Sequence, residues 1–284
     1  MNGPSYSELI RVGSEKLRDA GISEARHEAR LLMLLASDLS AAELISRDVE
    51  TAAPDHRAAF DMFVRMRKSR KPYAHISGWV EFRGLSLKSD HRALIPRTDS
   101  EIVADLAIDL IPDDAAWRLA DLGTGTGALL AAILTARSRT RGVAVEASAD
   151  ALHLAADNFD SLGLSGRSQL FLGPWSQWTG WEVCDLIICN PPYIRSTVIP
   201  ALAPEVRDHD PMEALDGGVD GLSAYREIIA LGAQHMKPGA HLVLEIGFDQ
   251  KTAVSALLTA NGFSDLQHRQ DLGGHDRAIA ATKT

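Results

Sequence analysis

Cysteine is nearly absent. Cys184 and Cys189 are the only two in 284 residues, both inside the apolar run WEVCDLIIC, where burial as small hydrophobes is expected rather than a disulfide. A reducing, cytoplasmic setting fits. The chain nowhere holds the roughly 18 uninterrupted apolar residues of a membrane span. Its start, MNGPSYSELI, has no basic stretch followed by an apolar one, so nothing predicts a membrane or an export route. Positive charge is short as well. The formal net charge of −9 repels phosphate backbones and argues against direct DNA binding unless a strong local patch opposes it. The one run of cations, RMRKSRK at 65–71, reads either as a solvated helix end or as a docking face for an acidic or RNA-bearing partner. None of the ten histidines stands in an H-x3-H or cysteine-paired cluster, so no metal is expected. Repeats and low-complexity tracts are missing, and 45% hydrophobic with 24% charged residues predicts that the whole chain folds.

What is present falls into two patterns. Up to about residue 72 the apolar positions Leu9, Val12, Leu17, Ala29, Leu32, Met33 and Ala36 recur at helical spacing, which predicts a small helical domain over 1–72. Its last helix is expected to start after Pro54 and stop before Pro72. Gly78 and Gly84 punctuate short β-prone stretches, AHISGWVEF and LSLKSD, and predict a hairpin linker over 73–97. A larger α/β domain is expected over 98–284. There the runs RLADL, GVAVEA, QLFL, VCDLIIC and HLVLEIG alternate with helical segments, the signature of βαβ units and a parallel sheet.

The first of those runs leads into Gly123-Thr124-Gly125-Thr126-Gly127, followed by the helical ALLAAILTA. Strand, glycine turn and helix form a cradle that lets backbone approach a ligand. The spacing differs from the dinucleotide fingerprint G-x-G-x-x-G, and a plain tight turn would also use these glycines. The second run ends at Glu146, about twenty residues on, where a carboxylate can accept from both hydroxyls of a nucleoside ribose. Asp121 is a candidate to orient the loop, to contact the amino-acid end of a ligand, or simply to cap.

CDLIIC ends at Asn190-Pro191-Pro192-Tyr193. Ligands of open α/β sheets sit outside the carboxyl ends of the strands, so this tetrapeptide and the glycine turn are expected to share a crevice. Prolines leave their carbonyls free to accept. A planar –NH2 target would place one hydrogen on the Asn190 side-chain oxygen and the other on the Pro191 carbonyl, with Tyr193 as a stacking wall. The lone pair of an amide nitrogen is delocalised, and two acceptors on its hydrogens would aim that lone pair at a methyl donor.

With these residues in hand, the sequence resembles the release-factor glutamine N5-methyltransferases over nearly its whole length. The likeness is carried by PYAHISGWVEFRGL (72–85), LIPRTDSE (94–101), DLGTGTG (121–127), NPPYI (190–194), EVRDHDPMEALDGGVDGLSAYREII (205–229), LEIGFDQ (244–250) and DLGGHDR (271–277). It implies a seven-stranded, Rossmann-like class I methyltransferase domain, a small helical N-terminal domain for substrate recognition and a hairpin linker. It also implies S-adenosyl-L-methionine as donor, with S-adenosyl-L-homocysteine as product. Donor contacts would fall on Gly123 to Gly127, Glu146, Trp175 and Asn190, and Asn190 to Tyr193 would hold the glutamine of a Gly-Gly-Gln loop in class I peptide chain release factors. Two positions depart from the family pattern. Thr98-Asp99 replaces a proline-glutamate pair, which shortens one carboxylate, and Pro174 replaces an acidic residue before Trp175. Two other readings share the chemistry: glutamine methylation of a ribosomal protein, and N6 methylation of adenine in DNA, which the acidic balance disfavours.

Overall fold

A computed structural model describes residues 3–284. Two compact units divide the chain, one ending at Gly78 and the other spanning Trp79–Thr284.

The N-terminal unit is helical throughout, with α1 (Tyr6–Asp19), α2 (Ala25–Ser37), α3 (Ala41–Ser46), α4 (Pro54–Lys68) and α5 (Tyr73–Ser77). Ser5 and Glu8 close a capping box on α1, and Ser40 and Glu43 do the same on α3, so the orphan N–H groups of both first turns find acceptors. Leu17, Ala29, Leu32, Met33, Phe60 and Val64 form the core. An ion pair between the buried Arg67 and the part-buried Glu28 clamps α4 to α2. Arg67 thus belongs to the interior, although the sequence places it in a surface-like cation run.

One expectation needs correcting here. The stretch from Tyr73 folds as a helical turn instead of opening a hairpin strand, because Tyr73 and Ile76, three residues apart, both pack on the N-terminal core. Gly78, in the left-handed region at φ 79°, ends that turn. The hairpin is therefore shorter than expected, β1 (Trp79–Phe82) against β2 (Leu85–Lys88).

In the second unit the chain continues through α6 (Glu101–Leu110), β3 (Arg118–Leu122), α7 (Ala128–Ala136), β4 (Arg141–Glu146), α8 (Ala149–Ser161), β5 (Ser168–Leu172) and β6 (Leu186–Cys189). It closes with α9 (Pro204–Arg207), α10 (Ser223–His235), β7 (His241–Glu245), α11 (Lys251–Ala260), β8 (Phe263–Gln270) and β9 (Asp276–Lys283). The seven-stranded sheet has the order β5-β4-β3-β6-β7-β9-β8. The first five strands in that order are parallel, and β9 runs antiparallel between β7 and β8. One apolar cluster, rich in α6, α7 and α8, covers one face; a second, built from α10, α11, Trp178 and Trp181, covers the other. Burial on both faces explains why LIIC and LVL read as unbroken apolar runs.

From β3 the chain passes to β4 and β5 on one side, and only then returns to β6 on the other. The adjacent ends of β3 and β6 therefore flank the switch point, where ligands of such sheets bind. The hairpin is fastened to this region by the fully buried Asn158. Its Oδ1 accepts from Lys88 N at 2.7 Å, while its Nδ2 donates to Lys88 O at 3.1 Å and to Thr126 O at 2.9 Å.

Candidate active site

Beyond β3 the backbone turns sharply through Gly123, Gly125 and Gly127, all in the left-handed region. Gly125 carries the turn that brings its N–H onto Glu146 Oε2 at 3.0 Å, a conformation that strains any residue with a Cβ. Gly127 serves packing instead. A Cβ there would stand 2.8 Å from the Phe159 ring of α8, so the third glycine lets α7 and α8 close together and does not line the cavity described below. Asp121, fully buried, accepts from Thr124 Oγ1 at 2.7 Å. Of the roles open to it, the structure shows the loop-orienting one. Burial, with Glu146 nearby, pushes its pKa up to about 7 against the Thr124 hydroxyl and the Leu130 N–H.

A cavity of about 680 Å3 opens over the ends of β3, β4 and β6. Gly123, Thr124, Gly125, Thr126, Glu146, Trp175, Asn190 and Pro192 all line it. The expected donor-site residues other than Gly127, and two residues of the expected target site, thus face one space. Trp175 lies in a 3-10 turn after β5 (Trp175–Gln177), and its Cζ2 is 3.8 Å from where a Gly123 Cβ would stand. Pro174 also lines the cavity, so the departure from the family pattern leaves an apolar neighbour beside the indole.

Pro191 and Tyr193 stand outside the cavity lining. Tyr193 was expected as a wall of the site; its ring packs on the apolar cluster beneath, and its hydroxyl donates to Glu245 Oε1 at 3.1 Å. A buried hydroxyl needs a partner, and the end of β7, next to β6, supplies a carboxylate. Burial first, then the Glu245 charge, pushes the Tyr193 phenol well above its ordinary pKa. Behind it the buried Gln250 holds the tetrapeptide. Nε2 donates to Tyr193 O at 3.0 Å and to Gly221 O at 3.1 Å, while Oε1 accepts from Gly247 N at 3.0 Å. Gly217 completes the clasp, since a Cβ there would fall 2.8 Å from Tyr193 Cα.

Two full-length relatives decide what this arrangement belongs to. A release factor glutamine methyltransferase of Caulobacter vibrioides is 36% identical over 272 residues, covering 96% of this chain and 94% of the relative. Its counterpart in Agrobacterium fabrum is 36% identical over 277 residues, covering 96% and 95%. The chain belongs to the release factor glutamine methyltransferase family. Residues 8–78 match the PrmC N-terminal domain and residues 98–203 the methyltransferase small domain. A solved methyltransferase of Pyrococcus furiosus shares the fold at a TM-score of 0.51 and 16% identity, over 71% of this chain and 90% of that one.

Further polar groups lie behind Asn190 and Tyr193. Glu245 is 2% exposed and pushed up to about 7, chiefly by burial. Hydrogen bonding from Ser100 and Tyr193 and the charge of Arg277 oppose the shift. Ser100 lines the cavity and lies 3.5 Å from Asn190 Nδ2. The shortened Asp99 meets Arg277 at 3.3 Å; the same guanidinium pairs with Asp271 at 2.9 Å, and Asp99 does not line the cavity. Asp210, with no exposed side-chain surface, pairs with Arg97 at 2.6 Å and ties the 208–216 segment to the entry of the domain. The sequence signal for Glu245 was available: an acid ending an apolar strand beside the strand that carries Asn190. Among the described residues, no three histidine, cysteine or acidic side chains gather as a metal site requires, and no helix is long and apolar enough to cross a membrane.

Proposed function

We propose that this chain transfers a methyl group from S-adenosylmethionine to the side-chain amide nitrogen of the glutamine in a Gly-Gly-Gln loop of class I release factors. One observation carries the reading: the glycine turn, Glu146 and Trp175 line the same cavity as Asn190 and Pro192.

The residues present fit the donor. Each Glu146 oxygen accepts one backbone N–H, from Gly125 and from Ser148, both at 3.0 Å, and a carboxylate keeps further lone pairs for two ribose hydroxyls. The Trp175 indole offers a flat apolar wall for the adenine, and Gly123 to Thr126 present backbone where side chains would intrude. Bound there, the donor supplies an electrophilic methyl group on a sulfonium.

On the acceptor side, Oδ1 of Asn190, which lines the cavity, takes one hydrogen of the glutamine –NH2, and the Pro191 carbonyl, next to it in the chain though outside the lining, is required to take the other. Both hydrogens held in this way, the nitrogen pyramidalises and its lone pair is directed into the cavity; the N–CH3 bond would form as the S–CH3 bond breaks, and one of the two held protons would then pass to solvent. Gln250, Gly217 and the Tyr193–Glu245 contact fix the tetrapeptide, so little reorganisation is needed when charge moves. Tyr193 thus acts as an anchor. The helical N-terminal unit is assigned to recognition of the protein partner, and the two buried, free cysteines accord with a cytoplasmic setting.

Incubating the full chain with labelled donor and, separately, release factor, ribosomes or DNA tests the reading. A gain of one methyl group on the Gly-Gly-Gln peptide of the release factor, read by mass spectrometry, is the expected result. Label entering only a ribosomal protein or only DNA would replace it.

A further inference from the structure

The N-terminal unit carries a groove of its own, about 580 Å3 in volume, lined by α1, α2, α3 and Asp48. Its charges are sorted along its length. The short connection at 20–24 sets the end of α1 beside the start of α2, and Arg18, Arg26 and Arg30 line the groove there. From Arg18 back to Glu8 along α1 is about 15 Å. Ser7 N donates to Asp48 O at 2.8 Å, which brings Asp48 to the Glu8 end. Between the two ends lie Ile10, Leu44 and the 60% exposed Ile45.

The cationic end lacks counter-charge. Arg11, further along α1, is paired with Glu15 at 2.8 Å, but Arg18, Arg26 and Arg30 have no carboxylate at ion-pairing distance among the described residues. Arg26 stands in the first turn of α2, where the helix dipole is already positive and no side chain caps the free N–H groups. Arg70 Nη1 donates to Gly21 O at 3.3 Å and so brings a fourth guanidinium to this end. In the floor, Ser14 is 4% exposed and its hydroxyl has no hydrogen-bond partner, although buried hydroxyls are ordinarily paired. Like charges gathered at a positive helix end repel one another until an anion arrives from outside.

We propose that this groove docks an acidic, amphipathic segment of the release factor, with carboxylates on Arg18, Arg26 and Arg30 and apolar side chains on Ile10, Leu44 and Ile45. The inference rests on the transfer reading above, and gives the recognition role of the helical unit a place and a chemistry. Guanidinium forks match carboxylates in a bidentate way, and the Ser14 hydroxyl has a hydrogen to give to an acceptor brought there. Nucleic acid suits the groove poorly. A phosphodiester chain following it would meet Glu8 and Asp48 at the far end and would leave the apolar middle unused. A protein segment acidic at one end and apolar beyond it matches both parts.

The test titrates intact release factor into the full chain by calorimetry and, in parallel, follows single-turnover methylation. Arg18→Glu/Arg26→Glu/Arg30→Glu should bind the factor roughly tenfold more weakly, the size of two or three exposed charge pairs, and the difference should shrink as salt is raised. The rate at saturating factor, transfer to a short Gly-Gly-Gln peptide and donor affinity should all stay at wild-type values. Arg26→Glu alone puts an acid where the first turn of α2 favours one, so it keeps the test open if the triple variant fails to fold; its loss of affinity should be smaller and in the same direction. Equal affinity for the factor in the wild type and both variants overturns the docking site. So does a loss seen for single-stranded RNA and not for the factor. A chain that binds the factor through the groove yet transfers no methyl group to it overturns the transfer reading and leaves the docking site standing.

Discussion

Glu146 holds the glycine turn against the end of β4, its Oε2 accepting the Gly125 N–H at 3.0 Å while its Oε1 accepts from Ser148 N. One carboxylate therefore shapes the donor cradle and, in the proposed function, reads the ribose. Glu146→Ala removes both effects. Losing charge-assisted hydrogen bonds worth about 1.5–3 kcal/mol should weaken S-adenosylmethionine binding roughly ten- to a hundredfold. Glu146→Gln, which keeps an acceptor, should lie between. Calorimetric titration of donor into each variant checks this, and unchanged affinity in the alanine variant removes Glu146 from the site.

The cation run at 65–71 divides into structural and surface members. Arg67 is 6% exposed and paired with the part-buried Glu28. Arg67→Ala strands that carboxylate, and should cost about 3 kcal/mol of stability, measured by urea unfolding. Arg65 and Lys68 are exposed. Replacing both with alanine should leave the unfolding midpoint in place and, if the N-terminal unit docks an acidic partner, lower methylation of intact release factor in a salt-dependent way.

The same run shows what sequence could and could not convey. Helical periodicity in the first 72 residues and alternating apolar runs beyond Arg118 were legible because burial of one face or two leaves a period in the chain. Five strands were readable in this way. The edge strand β8 is not legible in this way, since Phe263–Gln270 alternates with exposed polar positions and carries little apolar signal. In the β-prone stretch AHISGWVEF the first few residues cannot establish a helical period by themselves; contacts of Tyr73 and Ile76 with the N-terminal core make Tyr73–Ser77 a helical turn. In the site, glycines, Glu146 and Asn190 announce themselves by chemistry and position. Ser100 and Gln250 act from behind, and their partners lie 57 to 90 residues away, so no local spacing marks them; Glu245 is marked only as an acid ending an apolar strand, with its partner Tyr193 52 residues away.

Asp121 links the cradle to pH. Its carboxyl is raised from 3.8 to about 7, mainly by burial. A folded-state pKa above the unfolded one means the native state binds the proton more tightly, so this contribution to stability is full below about pH 4 and is lost as pH rises through neutrality. Asp121→Asn should remove that decline, giving a stability profile between pH 5 and pH 8 that falls less steeply than the wild type; chemical denaturation across the range measures it. Parallel profiles would show that Asp121 is ionised throughout.

Asn190 bears the largest expected effect. Alanine at this position removes the acceptor for the target –NH2 and nothing that touches Glu146 or the glycine turn. Asn190→Ala should therefore lower the single-turnover rate about a hundredfold or more, as for the loss of a preorganised hydrogen-bonding group, while donor still binds. Asn190→Asp separates acceptor from charge. The aspartate keeps an acceptor but loses the Nδ2 donor that Ser100 receives, and its negative charge favours the bound sulfonium more than a transition state in which positive charge is dispersing. It should bind donor at least as tightly as the wild type and still turn over slowly. Transfer to a Gly-Gly-Gln peptide loop at saturating donor isolates the chemical step from binding. A wild-type rate in Asn190→Ala would show that the target nitrogen is activated elsewhere, and the amide clamp would have to be abandoned.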